Sequence, residues 1–511
     1  MFRSFLTVSS GTLASRLLGF VRDSAIAALL GAGPVADAFL AAFQLVNVVR
    51  RLLSEGGLNA ALVPAWLKAR DAGGLEAATA FAGRVLGTVS AAVIASALVI
   101  GLLMPLVIAA IAPGFVGRDT LQFAVDDARL MLPYLAFAGP VTVMMALLSA
   151  QGRFALTAFS PLLFNIALIS VMAVLLVRQQ EPAQAAIVMA ATIGVAGFLQ
   201  LSMLALRGAR LASPLRVSFD PDMRGFLGRA IPGMVASSAP QWLMVAGAVI
   251  ASTSPSAVSW LYFANRLLEL PLGIVGVAMG TVLIPEMTRA VRSGESSAIA
   301  HAESRALELA VGLALPATLG LMVLSQPIVR MLFEHGAFTA QDSAATAQAL
   351  TWLTLALPAH VLVKALSPAF FAREDTLTPL LATLKAVVVA IAAAFLLGHL
   401  GASGIAAGIA LGAWSNALAL IRKGAATFGF SIDADARRRL PRILAAALAM
   451  GALLWLAEGG LPSAGSHGFV QAGSLLVLIA AGIAAYGLFL QLFGVTGWRE
   501  AVNAVRQRRP A

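Results

Sequence analysis

Long apolar runs separated by short polar breaks set the pattern of this chain, and within each run the apolar residues are continuous rather than alternating. A helix crossing about 30 Å of hydrocarbon needs roughly 20 apolar residues. On that measure about fourteen segments qualify, near 5–30, 34–63, 82–111, 122–149, 159–177, 184–206, 226–251, 256–286, 306–325, 343–367, 377–398, 402–421, 440–458 and 470–493. Continuous runs argue against a closed β-barrel, whose strands alternate apolar and polar. The pattern predicts an all-α polytopic membrane protein.

Three of these segments are broken by charge. The first carries Arg16, Arg22 and Asp23, the second Asp37, Arg50, Arg51 and Glu55, and the eighth Arg266 and Glu269. An ionised group deep in a bilayer costs about 2.5–3.5 kcal/mol on insertion scales, so four arginines facing lipid would cost roughly 10 kcal/mol. They are therefore expected to face protein or water. A cationic, hydrated interior implies an anionic cargo.

Spacing orders these charges. Arg16 and Asp23 are seven apart, which puts them on one face of an unbroken helix, whereas Arg22 points elsewhere unless the helix kinks at Gly19. Arg51 and Glu55 stand at i,i+4, and Arg266 and Glu269 at i,i+3, both ion-pair spacings. Simple mutual neutralisation is the plainer reading of such pairs. However, five arginines (Arg16, Arg22, Arg50, Arg51, Arg266) outnumber the four nearby acids Asp23, Asp37, Glu55 and Glu269. Arginine suits phosphate because its planar fork makes two charge-assisted hydrogen bonds.

Loop charge gives orientation. Most loop Lys and Arg fall on one side, including Lys68, Arg153, Arg216, Arg305, Arg373 and Arg437, with Arg3 and the tail arginines. The opposite loops carry Arg118, Arg178 and Arg330. Both termini are expected in the cytoplasm, which requires an even number of spans.

A weak repeat divides the chain. Leu62-Val63-Pro64 recurs as Leu283-Ile284-Pro285, Arg153 recurs as Arg373, and the Gly31–Gly33 turn maps onto Ser252–Ser254, all at an offset of about 221. Two pseudo-symmetric six-helix lobes of the same orientation follow. The expected divisions are 1–215, 216–425 and a further 426–511 with two extra helices and a tail. The Arg- and Asp-rich linker at 207–224 marks the lobe boundary.

Composition agrees. Of 511 residues, 59% are hydrophobic and 12% charged, with mean hydropathy +0.89. The net charge of +11 would point to nucleic acid in a soluble protein, but here the positive residues sit in loops, so no nucleic-acid partner is expected. With no cysteine there is no disulfide, thiolate metal site or thiol nucleophile. The N-terminus does not read as a signal peptide, because Arg16 and Arg22 interrupt its apolar stretch. Asp126-Asp127 is read as acid near a helix N-terminus rather than as a metal–diphosphate site. The five histidines show no metal-ligand spacing, and none of the four lysines follows a glycine, so no nucleotide loop is present. Arg437-Arg438-Arg439 reads as a topogenic patch that also contacts anionic lipid.

Several stretches together resemble the MurJ (MviN) family of lipid II flippases: SRLLGFVRD (Ser15–Asp23), ADAFLAAF (Ala36–Phe43), NVVRRLLSEGGLNAALVP (Asn47–Pro64), GRFALTAFSP (Gly152–Pro161), YFANRLLELPLGIVGVAMGTVLIP (Tyr262–Pro285), EHGAFT (Glu334–Thr339) and FAREDTLTP (Phe371–Pro379). The resemblance implies a fourteen-helix fold of the MATE-like exporter superfamily, with two lobes enclosing a cationic cavity and the last two helices forming a groove for a lipid tail. It places the family's functional arginines on Arg16, Arg22, Arg50 and Arg266. Its functional acid falls on Asp37, and Asp23, Arg51 and Glu55 also match. Two departures matter: Gln44 stands where the family often has Lys, and Asn265 where Asp is common. The first removes a cation and the second a countercharge. Val46 replaces a common proline.

The resemblance implies a flippase, not an enzyme, that moves lipid II to the periplasmic leaflet of the bacterial inner membrane by alternating access. No cofactor is expected; a coupling ion or the membrane potential would drive it. It is expected to act as a monomer, with cell-wall synthesis proteins as further partners. An ion-coupled exporter of drugs or other polyprenyl-linked glycans is the alternative, and excess intramembrane arginine argues against cationic drugs. A membrane enzyme on polyprenyl diphosphates would need a converged carboxylate–metal site or a nucleophilic histidine, and the sequence offers neither.

Overall fold

A computed structural model describes residues 2–54, 57–208, 212–237, 239–278, 289, 295–371, 373, 375, 377–428, 433–460 and 468–495. Among them there is no β-strand. The helices are α1 Phe2–Leu30, α2 Pro34–Ser54, α3 Gly57–Leu102, α4 Met104–Ile111, α5 Asp119–Ala150, α6 Phe154–Val177, α7 Pro182–Gly208, α8 Pro221–Ser237 and α9 Ala239–Ala251. They continue with α10 Ala257–Ala278, α11 Ser296–Val323, α12 Ser325–Phe333, α13 Ala340–Thr354, α14 Ala356–Phe371, α15 Leu377–Leu397, α16 Ala402–Phe428, α17 Ala434–Glu458 and α18 Gly468–Leu492.

Every apolar segment expected from the sequence is helical where described, and the architecture is that of a multi-pass membrane protein. Among the described residues nine helices are long and apolar enough to span a bilayer, and the pair α13–α14, bent by 40°, makes a tenth. The charge-bearing helices α1, α2 and α10 are not among the nine. Several boundaries differ from expectation: 82–111 breaks between α3 and α4, 306–325 between α11 and α12, and 343–367 between α13 and α14. The segment 34–63 is two helices, because α2 stops at Ser54. The long α3 leaves helical geometry at Gly73 (φ −141°, ψ 22°) and Gly74 (φ 72°, ψ −168°), so it is two helices in one run. A left-handed φ at Gly74 has no Cβ penalty, which is why the break falls there.

The repeat is visible in helix boundaries. Leu30 and Ala251 end helices 221 residues apart, as do Leu102 and Val323; Met104 and Ser325 begin helices at the same offset, as do Asp119 and Ala340. Leu283-Ile284-Pro285 lies outside the described residues, as do Glu55 and the tail arginines.

The chain packs as two compact units, Met1–Ser259 with His335–Thr339, and Trp260–Glu334 with Ala340–Ala511. The linker residues 212–220 lie within the first of these units. In the first unit the linker lies along α3 as a strap. Ser213 N–H donates to Thr79 O (3.3 Å), and Arg216 N–H to Gly83 O (3.4 Å). Ser218 N–H donates to Thr88 Oγ1 (3.0 Å), which donates back to Ser218 O (3.2 Å). A Cβ at Gly83 or Gly87 would strike the carbonyls of Pro214 and Arg216, so these two glycines permit the approach. Beyond the strap, Phe226 of α8 is fully buried and meets Phe81 edge-on at 6.1 Å, in a core with Trp66, Met144 and Leu147.

The remainder of the first unit packs α1 on α6, where Gly11 sits against Ala158, and α5 on α2, α3 and α7. In the second unit, α15 and α16 cross closely through Gly404, Gly408 and Gly412 of α16 facing Leu397, Ala394 and Ala390 of the α15 region. Small residues at four-residue spacing let two backbones approach where lipid offers no hydrophobic drive. Tyr486 of α18 donates to Gly312 O of α11 (2.8 Å).

Candidate functional site

In the first unit the candidate residues sit on α1 and α2. Arg22 is only 8% exposed and Asp23 is fully buried. Arg22 Nε and Nη2 both donate to Asp23 Oδ1, at 2.9 and 2.6 Å. Arg22 Nη1 donates to Asn165 Oδ1 at 3.0 Å. Its guanidinium carbon lies 5.0 Å from the centre of the Phe43 ring and 5.9 Å from that of Phe164. Those rings are themselves parallel, 6.5 Å apart with 7° between planes. Tyr134 closes the aromatic group, edge-on to Phe164 at 5.3 Å.

Arg16 and Asp23 share a helical face in principle, but the structure gives Asp23 to Arg22 and leaves Arg16 exposed. Adjacent residues do not normally face each other on a helix. The long arginine chain curls back to reach its neighbour, because two charges buried together must pair.

Arg50 and Arg51 are half-buried at the end of α2, and Arg50 Nη2 lies 3.4 Å from Asn47 Oδ1. Glu55, the expected partner of Arg51, lies outside the described residues. Asp37 is 3% exposed, and its Oδ1 accepts from both the Ser259 backbone N–H (2.9 Å) and the Ser259 hydroxyl (2.5 Å). Ser259 is in the first turn of α10, so the carboxylate serves donors that a helix start leaves open. Its partner here is thus a serine rather than an arginine.

In the second unit, Arg266 and Glu269 form the expected i,i+3 pair at 2.7 Å, with side chains 23% and 26% exposed. Asn265 and Gln44 are half-buried. Gln44 lines an apolar cavity of about 220 Å³ in the first unit with Leu45, Val48, Ile111, Val245 and Val258.

Asn165, Phe43 and Phe164 belong to the Arg22 site without standing out as charged positions in the sequence. Asn165 carried a signal: an amide in the middle of the apolar run PLLFNIALIS is costly in lipid and needs a partner.

The family described as lipid II flippase MurJ matches residues 26–475. The chain is 35% identical to the probable lipid II flippase MurJ of Rhizobium tropici, covering 100% of this chain and 98% of that one. It is 31% identical to the lipid II flippase MurJ of Burkholderia cenocepacia, covering 82% and 83%. Its fold is similar to a solved lipid II flippase MurJ in an inward closed conformation (TM-score 0.79, 21% identity, 97% and 100% covered). It is also similar to an inward-facing multidrug resistance MATE transporter (TM-score 0.66, 15% identity, 86% and 98% covered).

Proposed function

Since the chain belongs to the lipid II flippase MurJ family, we propose that it carries lipid II from the cytoplasmic to the periplasmic leaflet of the inner membrane by alternating access. The observation that carries this reading is the set of cations on otherwise apolar helices: Arg16, Arg22, Arg50 and Arg51 in the first unit and Arg266 in the second. The barrier to flipping is the desolvation of a diphosphate and its polar head group. Arginines offer charge-assisted hydrogen bonds in place of water, and the polyprenyl tail stays in lipid. Arg16, Arg22, Arg50 and Arg266 are assigned to the diphosphate, and Asp23, Asp37, Arg51, Glu55 and Glu269 to balancing the local field. The drive is an ion gradient, the membrane potential or consumption of the product. Both termini lie in the cytoplasm, by the distribution of loop arginines.

The test is reconstitution in vesicles with labelled lipid II and an imposed potential. Wild-type protein should move the lipid unaltered. Arg266→Ala should stop transport while remaining folded. Arg22 needs a paired change, because Arg22→Ala alone removes the guanidinium that faces the buried Asp23 carboxylate, and breaking a buried pair costs about 3–5 kcal/mol. Arg22→Gln with Asp23→Asn removes both charges at similar volume. Full transport by this double variant and by Arg266→Ala would overturn the assignment.

A further inference from the structure

A guanidinium has five N–H donors. Three of those on Arg22 are used in the first unit: Nε and one hydrogen of Nη2 on Asp23, and one hydrogen of Nη1 on Asn165. One donor remains on each terminal nitrogen. Two parallel N–H groups from a guanidinium match two oxygens of a phosphate. Arg22 is thus held from two sides, by Asp23 at Nε and Nη2 and by Asn165 at Nη1, with one donor left on each terminal nitrogen.

What fixes it is unequal. Asp23 belongs to the same helix, one residue on, and moves with Arg22. Asn165 comes from α6, 143 residues away, and is 5% exposed. Its amide nitrogen donates to Ser15 O on α1 at 3.2 Å, and its amide oxygen accepts from Arg22. One side chain therefore uses both ends of its amide on α1: one end holds the backbone about two turns before Arg22, the other holds the guanidinium. The Phe43 ring restrains the guanidinium from its face. An amide adds no charge, so it holds a cation in place without competing with an anionic ligand, as a carboxylate in the same place would.

We propose that Asn165 is the positioning residue for Arg22, holding its guanidinium so that the two remaining donors meet the diphosphate of the cargo. This rests on the flippase reading for the identity of the cargo and on the first unit's geometry for the role of Asn165.

The test is binding of undecaprenyl diphosphate to the full chain in nanodiscs, read as a double-mutant cycle. Asn165→Leu keeps the branched shape and removes both hydrogen bonds. It should weaken binding about tenfold, the scale of one hydrogen bond to a charged group. In the neutral background of Arg22→Gln with Asp23→Asn, Asn165→Leu should cause no further loss. Asn165→Ala, which adds no bulk, should repeat both results if the leucine variant does not fold. Equal losses in both backgrounds would show a merely structural amide and overturn the proposal. Failure of the flippase reading looks different: wild-type protein binds the diphosphate lipid with the cycle intact, yet moves no lipid II. Wild-type protein that binds no undecaprenyl diphosphate overturns both.

Discussion

The carboxylate of Asp37 on α2 accepts two hydrogen bonds from Ser259, a residue 222 positions later in the first turn of α10. One comes from the backbone and one from the hydroxyl. Ser259→Ala removes the hydroxyl alone, whereas Asp37→Ala leaves both donors unmatched in a buried place. Hydrogen bonds to a charged group contribute about 1.5–3 kcal/mol each. Ser259→Ala should lower the unfolding temperature of the purified protein, and Asp37→Ala should lower it further. Equal melting of the two variants would mean that the backbone donor contributes nothing.

Arg266→Lys keeps the charge but loses the fork. An ammonium presents a point charge and cannot match two phosphate oxygens at once. Lipid II transport by this variant should fall about tenfold yet stay above that of Arg266→Ala, consistent with losing one of two charge-assisted bonds. Transport by Arg266→Lys at the wild-type rate would show that charge alone suffices there.

Gly408 and Gly487 are both helical glycines, and they should respond oppositely to alanine. A Cβ on Gly408 would lie 2.5–2.7 Å from the backbone and Cβ of Ala394, so α15 and α16 must move apart. Overpacking of this kind costs about 1–3 kcal/mol. Gly487 has nothing within 4 Å of an added Cβ, so Gly487→Ala should gain up to about 1 kcal/mol of helix propensity. Thermal unfolding of the two variants side by side distinguishes these directions.

Two exposed helix starts give a pH dependence of known sign. The Met223 backbone N–H at Asp220, and the Thr378 backbone N–H at Asp375, hold these carboxyls below the usual carboxylate range. A lowered folded-state pKa adds stability above the ordinary value of about 3.9, and that stability is lost as pH falls through the lowered value. Asp220 also lies 3.2 Å from Arg84 on α3, so its protonation loosens the strap. Proteolysis or amide exchange within 212–224 should rise below about pH 4 and stay flat from pH 5 to 8. Asp220→Ala should show the faster rate at neutral pH.

Much of the fold was legible because apolar length and charge are local properties. The helices and the Arg266–Glu269 pair follow from spacing within one helix, and the repeat from matching punctuation about 221 residues apart. The Arg22 site was half legible. The arginine stands out in an apolar helix, but its pairing with Asp23 depends on burial, which a face-by-face reading of α1 misses. Asn165 and Ser259 come from 143 and 222 residues away, and no local pattern links them to Arg22 and Asp37. The docking of the strap is illegible for a related reason. Its Arg and Asp content looks like a solvated linker, while the features that dock it, Gly83 and Gly87, lie on another element.

The five residues His335–Thr339 complete the first unit from far along the chain. Ala337 N–H donates to Ala28 O at 2.8 Å, Gly336 adopts φ +59°, and a Cβ there would collide with the same carbonyl. The end of α1 can be covered by this segment only once about two-thirds of the protein has left the ribosome. The order of birth along the polypeptide and the order of assembly in the bilayer do not coincide.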